Sequence, residues 1–253
     1  MAATVDFRRI SIWDADRGVE TRVTGDDEES FHAAWLPGSR LEIVYTRLGN
    51  NPGVWARRPD GTGSARHLFA GGASNVTASA AGRQLAFYMV DPTTRRDLWA
   101  KSLEPDGEAF VMLRTNANEA RPQISPDGKF VAYQSDVSGR WEVYVMPFPR
   151  GEGRLQISTA GGEMAAWNPR GGELFFISGD DLLAVSVTLE PALKAGRPQQ
   201  LFAGKTVGTQ LVRPRYLEAF YTVAPDGRSF VVVKGQGMGT SDVVVADGLI
   251  AHH

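Results

Sequence analysis

The sequence predicts an all-β chain, folded as a β-propeller of four-stranded antiparallel blades. Three observations carry that reading. A tight turn recurs along the chain, each recurrence is flanked by two strand hairpins, and no segment has the length and 3.6-residue periodicity of a helix.

The clearest turn is SPDGK, Ser125 to Lys129. Proline presets the first turn residue, aspartate bonds nearby backbone, and glycine accepts positive φ. With Pro126 as anchor, equivalent turns lie at Pro37, Ala80, Pro169 and Pro225, at spacings of 43, 46, 43 and 56 residues along the chain. Core candidates stand two residues before each anchor (Trp35, Ala78, Ile124, Trp167, Val223) and seven after it (Val44, Phe87, Tyr133, Phe176, Val232). The first four copies continue into a third strand (GVWARR, DLWAKS, EVYVMP, LLAVSV), a polar turn, and a fourth strand (ARHLFA, FVMLRT, LQISTA, QQLFAG). Four strands in about 45 residues is the pattern of a propeller blade.

The chain thus reads as one propeller domain over residues 1–253, with units at 31–73, 74–118, 119–162, 163–206, and 207–253 completed by 1–30. Arg8 to Thr24 reads as third and fourth strands, and AFYTVAPDGRSFVVVKG supplies a first and second. Pairing the two ends would complete a fifth blade and remove exposed sheet edges. DVVVAD, Asp242 to Asp247, competes for the same third-strand place, so six blades is the alternative count, and a ring finished by another subunit is a further one.

Composition bounds the function. Hydrophobic residues make up 42% of the chain, enough for a large core, and the formal charge of -2 offers no field for nucleic acid or an anionic membrane. There is no cysteine, hence no disulfide, thiolate metal site or cysteine nucleophile. No apolar run approaches the ~20 residues that span a bilayer. The chain reads as soluble: cytoplasmic as given, extracytoplasmic if it is a piece of a longer exported or anchored parent. It opens almost directly on a strand-like segment, as such a piece would.

The stretch SPDGKFVAYQSDVSGRWEVYVMPFPRGEGRLQISTAGGEMAAWNPRGGELFFISGDDLLAVSV resembles the repeats of TolB-like, WD-repeat-like propellers, in particular the propeller that follows the catalytic domain in many bacterial serine/threonine protein kinases. The resemblance is close over Phe31 to Val187 and weaker beyond. It implies the fold and an extracytoplasmic or interaction role. No VAIK-like lysine motif, HRD or DFG is present.

Leaders before each first strand are expected near the mouth of the central channel. They bring Glu29, His32, Asn75, Asn118, Glu119, Arg121, Glu163 and Glu218 towards one end. Glu119 and Glu218 sit seven before their anchors, Glu163 six and His32 five, so these four do not share one register. Two chemistries follow. Glu119, Glu163 and Glu218 suit a hard divalent cation such as calcium, and with His32 they are the candidate acid–base groups of a hydrolase acting on esters or phosphoesters. A mutually neutralising polar rim around Arg121 is the plainer reading. Asn75, Arg121 and, in the insertion Thr206 to Phe220, Arg213, Arg215 and Tyr216 are the ligand-binding candidates.

Other motifs dissolve. DADRG at Asp14 to Gly18 opens like a calcium loop but has Val19 where glycine is needed and Gly25 where glutamate is needed. The Gly-rich FAGGAS and TAGGEM precede strands, whereas a phosphate loop needs a helix. His67 falls on an outer strand. The expectation is a non-catalytic scaffold that binds a protein, peptide or saccharide, as a monomer or homodimer, and requires no cofactor; the hydrolase is the alternative.

Overall fold

The computed structural model describes the chain except residues 1, 7–8, 15–16, 39–40, 151, 212–220, 237–239 and 247–253. It divides into two compact units, residues 1–124 and 125–253. In the first, β1 (Ala2–Asp6), β2 (Arg9–Asp14) and β3 (Val19–Arg22) make one sheet. A second sheet holds β4 (Ser30–Leu36), β5 (Glu42–Arg47), β6 (Gly53–Arg57) and β7 (Arg66–Ala70). A third holds β8 (Ser74–Ala78), β9 (Gln84–Asp91), β10 (Arg95–Ser102) and β11 (Ala109–Leu113), and β12 (Glu119–Ile124) ends the unit.

The second unit begins with β13 (Phe130–Ser135), β14 (Glu142–Pro147) and β15 (Leu155–Gln156). Its next sheet is β16 (Glu163–Trp167), β17 (Glu173–Ser178) and β18 (Asp181–Thr188), with β19 (Lys194–Ala195) and β20 (Gln199–Ala203) both pairing with β18. The last is β21 (Tyr221–Val223), β22 (Phe230–Gln236) and β23 (Thr240–Ala246). All the pairings within these sheets are antiparallel, most of them between strands adjacent in sequence, as propeller blades are built.

The ends depart from expectation. Ala2–Asp6 is an added strand, in register with β2 from Ala2↔Trp13 to Asp6↔Arg9, so the N-terminal segment makes a sheet of its own. Asp242 to Ala246, the described part of DVVVAD, lies on β23 and pairs with β22 (Val233↔Val243), taking the third-strand place. The physical reason is loop closure: a hairpin to the next strand in sequence costs far less chain entropy than pairing with the other end of the chain. Among the described residues the strands therefore fall into six sheets.

The recurrent turn forms as the residues require. Gly82, Gly128, Gly171 and Gly227 each take positive φ (65°, 73°, 78° and 66°). Each donates its N–H to the carbonyl three residues back, at 2.7 to 2.9 Å. The first copy is one residue longer (WLPGSRLE), which shifts its register: Trp35 pairs with Ile43, whereas Trp167 pairs with Leu174 and Ala78 with Leu85. The equivalent of Phe87 and Phe176 is therefore Tyr45, not Val44. Both are fully buried, as are Phe87, Tyr133 and Val232, with Phe176 at 1% exposure. Each such side chain contributes about 1.5–3 kcal/mol by leaving water.

Candidate functional site

The first strands carry an irregularity that the turn spacing locates. His32, Asn75, Arg121 and Met164 have φ of 53°, 48°, 52° and 55°, the left-handed region. Each lies five residues before its anchor. In β4, β8 and β16 the residue sits in a β-bulge, where two residues oppose one on the next strand. Tyr45, Phe87 and Phe176 are the opposing residues. A left-handed non-glycine costs about 1–2 kcal/mol, and a bulge bends its strand and re-aims a side chain. Because Met164 shares the conformation, the bulge belongs first to the architecture; what differs between copies is the side chain it aims.

In the first unit those side chains are polar and neighbouring, because β8 lies beside both β4 and β12. Arg121 is 7% exposed, while His32 and Asn75 are half-buried. Burial, and secondarily the positive charge of Arg121, pulls His32 from its ordinary 6.5 down to about 4. His32 is thus a neutral imidazole at pH 7, and its Nδ1 is buried without a hydrogen-bond partner. A base of such low pKa is a weak proton acceptor at neutral pH.

The other candidates fall in different settings. Glu119 is fully buried on β12 and accepts a hydrogen bond from the Thr115 hydroxyl at 2.6 Å. Asn118 accepts one from Arg96 at 3.4 Å. Glu163 begins β16 in the second unit and is half-buried. Glu218, Arg213, Arg215 and Tyr216 lie outside the described residues. Among the described residues no group of three or more His, Asp or Glu side chains is placed to hold a metal ion. Asp14 caps a turn instead, accepting from the Arg17 N–H at 3.3 Å. His67 is exposed on β7 and packs on Trp55 at 4.7 Å between ring centroids.

Two buried polar groupings were not anticipated. Tyr45 donates to Glu28 at 3.2 Å, and Arg57 pairs with the other oxygen of that carboxylate at 3.3 Å. Burial and then the charge of Glu28 push the Tyr45 hydroxyl far above its ordinary range. The second grouping recurs at the start of the third strands. Asp97 accepts from Arg114 at 2.7 Å and Thr94 at 2.9 Å, and Glu142 from Arg140 at 2.7 Å, Ser158 at 2.5 Å and the Gly161 N–H at 3.0 Å. The repeat alignment puts an acid at this place in two copies, a signal legible in sequence once the third strands are superposed.

No protein-family model matches the chain. A tricorn protease homologue from Streptomyces coelicolor is 34% identical over 91 residues, which is 35% of this chain and 7% of that protein. TolB from Acinetobacter baumannii superposes with a TM-score of 0.71 at 16% identity, covering 94% of this chain and 57% of that one. A puromycin-hydrolyzing peptidase from Mycobacterium tuberculosis gives 0.63 at 17% identity, covering 98% and 41%. The chain thus spans only part of each of these proteins. Superposition over nearly the whole chain, on sheets built from strand hairpins around a recurrent turn, gives this protein the TolB-like β-propeller fold.

Proposed function

We propose that this chain is a non-catalytic binding propeller whose first unit engages a protein or peptide segment at His32, Asn75 and Arg121. The observation that carries the reading is the shared left-handed register of these three residues on neighbouring strands. Strained backbone held by a rigid sheet is a means of pre-organising a ligand clamp. The chemistry offered is a cation, an amide and a neutral imidazole, suited to carboxylates and backbone carbonyls rather than to bond cleavage.

The test is binding of fluorescent peptides rich in Asp and Glu, alongside amide-bearing twins. Asn75→Ala and Arg121→Gln are expected to weaken the acidic peptides at least about tenfold, since bonds to charged groups contribute about 1.5–3 kcal/mol. Unchanged affinity in both folded variants overturns the proposal.

The alternative is a hydrolase, alone or as part of a larger protein, favoured by the peptidases among the similar proteins. Hydrolysis of activated esters and phosphoesters by this chain, sensitive to chelator or to Glu119→Gln or Glu163→Gln, would establish it. Rates indifferent to all three would remove it.

A further inference from the structure

We infer that the first unit holds a small oxyanion between Ser30 and Arg47, a site distinct from the three bulge residues. Ser30 on β4 and Arg47 on β5 are directly opposite in register, so their side chains share a face. Ser30 is fully buried, and its hydroxyl has no hydrogen-bond partner. Arg47 Nε is likewise buried without one. Two adjacent buried donors left unpaired cost free energy that a bound acceptor would recover.

Charge gives the sign of the ligand. Among the described residues Arg47 has no ion pair, and the nearby Glu28 is engaged by Arg57 at 3.3 Å and by the Tyr45 hydroxyl at 3.2 Å. The guanidinium of Arg47 lies over the Trp55 ring at 5.1 Å from its centroid. Trp55 is itself fixed by its Nε1–H to the Asn51 carbonyl at 3.3 Å and by His67. Stacking of this kind holds the planar fork in place and leaves its N–H edge to bind, the geometry that matches carboxylate or phosphate.

The next residue in the same cross-strand row is Gly53, opposite Arg47. It contributes no side chain. A Cβ there would meet His67 Nε2 at 2.7 Å, so a ring nitrogen stands beside this row. A hydroxyl, a guanidinium and an imidazole tip along one cross-strand row are the donors of an oxyanion site, for a phosphate, a sulfate or a carboxylate.

The experiment follows thermal unfolding of the whole chain as inorganic phosphate, sulfate or acetate is added at constant ionic strength, in a chloride-free buffer. Saturating stabilisation is expected, stronger for phosphate and sulfate if the site takes a tetrahedral anion and for acetate if it takes a carboxylate. Arg47→Gln should abolish the response. Arg58→Gln, an exposed arginine paired with Asp60 at 3.2 Å, should leave it intact. Ser30→Ala is the sharper variant. Without anion it should be as stable as the parent or more so, because it removes an unpaired buried hydroxyl, while its anion response should fall about fivefold or more. An equal response in the parent and Arg47→Gln, no response to any anion, or a Ser30→Ala variant that loses stability without anion would each overturn the site.

Discussion

His32 shows how one residue's surroundings decide its chemistry. Its folded pKa is about 4 against an ordinary 6.5. Between those values the unfolded chain binds a proton that the folded one does not, so stability falls as pH drops from 6.5 to 4. The loss is at most about 3 kcal/mol from a shift of this size. Denaturant midpoints at pH 7 and pH 4.5 should therefore differ less in His32→Gln than in the parent. Equal differences would show that His32 does not titrate in this way. Tyr45 has the opposite setting, an acceptor waiting for its proton: Tyr45→Phe deprives Glu28 of its bond at 3.2 Å and should cost about 1–3 kcal/mol by equilibrium unfolding.

At the scale of the element, the turns and the third-strand acids carry the sharpest expectations. Gly82 holds φ of 65°, and a Cβ there would stand 1.5 Å from the Pro37 carbonyl oxygen, because successive turns of the first unit pack against each other. Gly82→Ala should destabilise by at least about 2 kcal/mol, combining a left-handed alanine with an overpacked contact. Gly128 has a similar φ of 73° but nothing within 4 Å, so Gly128→Ala should cost only the conformational part. Comparing the two by denaturation separates strain from packing. Glu142, 1% exposed, ties the start of β14 to Ser158 and Gly161. Glu142→Gln should lose about 2 kcal/mol as charge-assisted bonds become neutral ones.

For the whole molecule, slow hydrogen exchange should follow the buried second strands. The amides of Val44, Phe87, Val131 and Phe176 should be among the last to exchange, and those of the exposed β3 among the first. Helical signal in far-ultraviolet circular dichroism should be minor, since among the described residues the only helical segment is the 3-10 turn Gly204–Val207.

Strand hairpins, turns and core faces were legible because each is local: alternation marks a strand, and Pro-Asp-Gly or a lone glycine marks its turn. Five turns placed five hairpins, and the residues seven after each anchor proved buried in every copy. The candidate site was legible only in its members. His32, Asn75 and Arg121 were named, but the register uniting them, five residues before each anchor, was obscured by the carboxylates at other offsets.

What the sequence by itself determined is the repeat and hence the blade-like sheet, because a period of about 45 residues with four alternating strands has few ways to bury its apolar faces. Which strand fills the last place, which side chains the bulges aim, and which buried donors are left without acceptors were decided by tertiary structure. Those outcomes depend on pairing between distant segments and on the charge each side chain meets, and neither quantity is written in any local stretch of the chain.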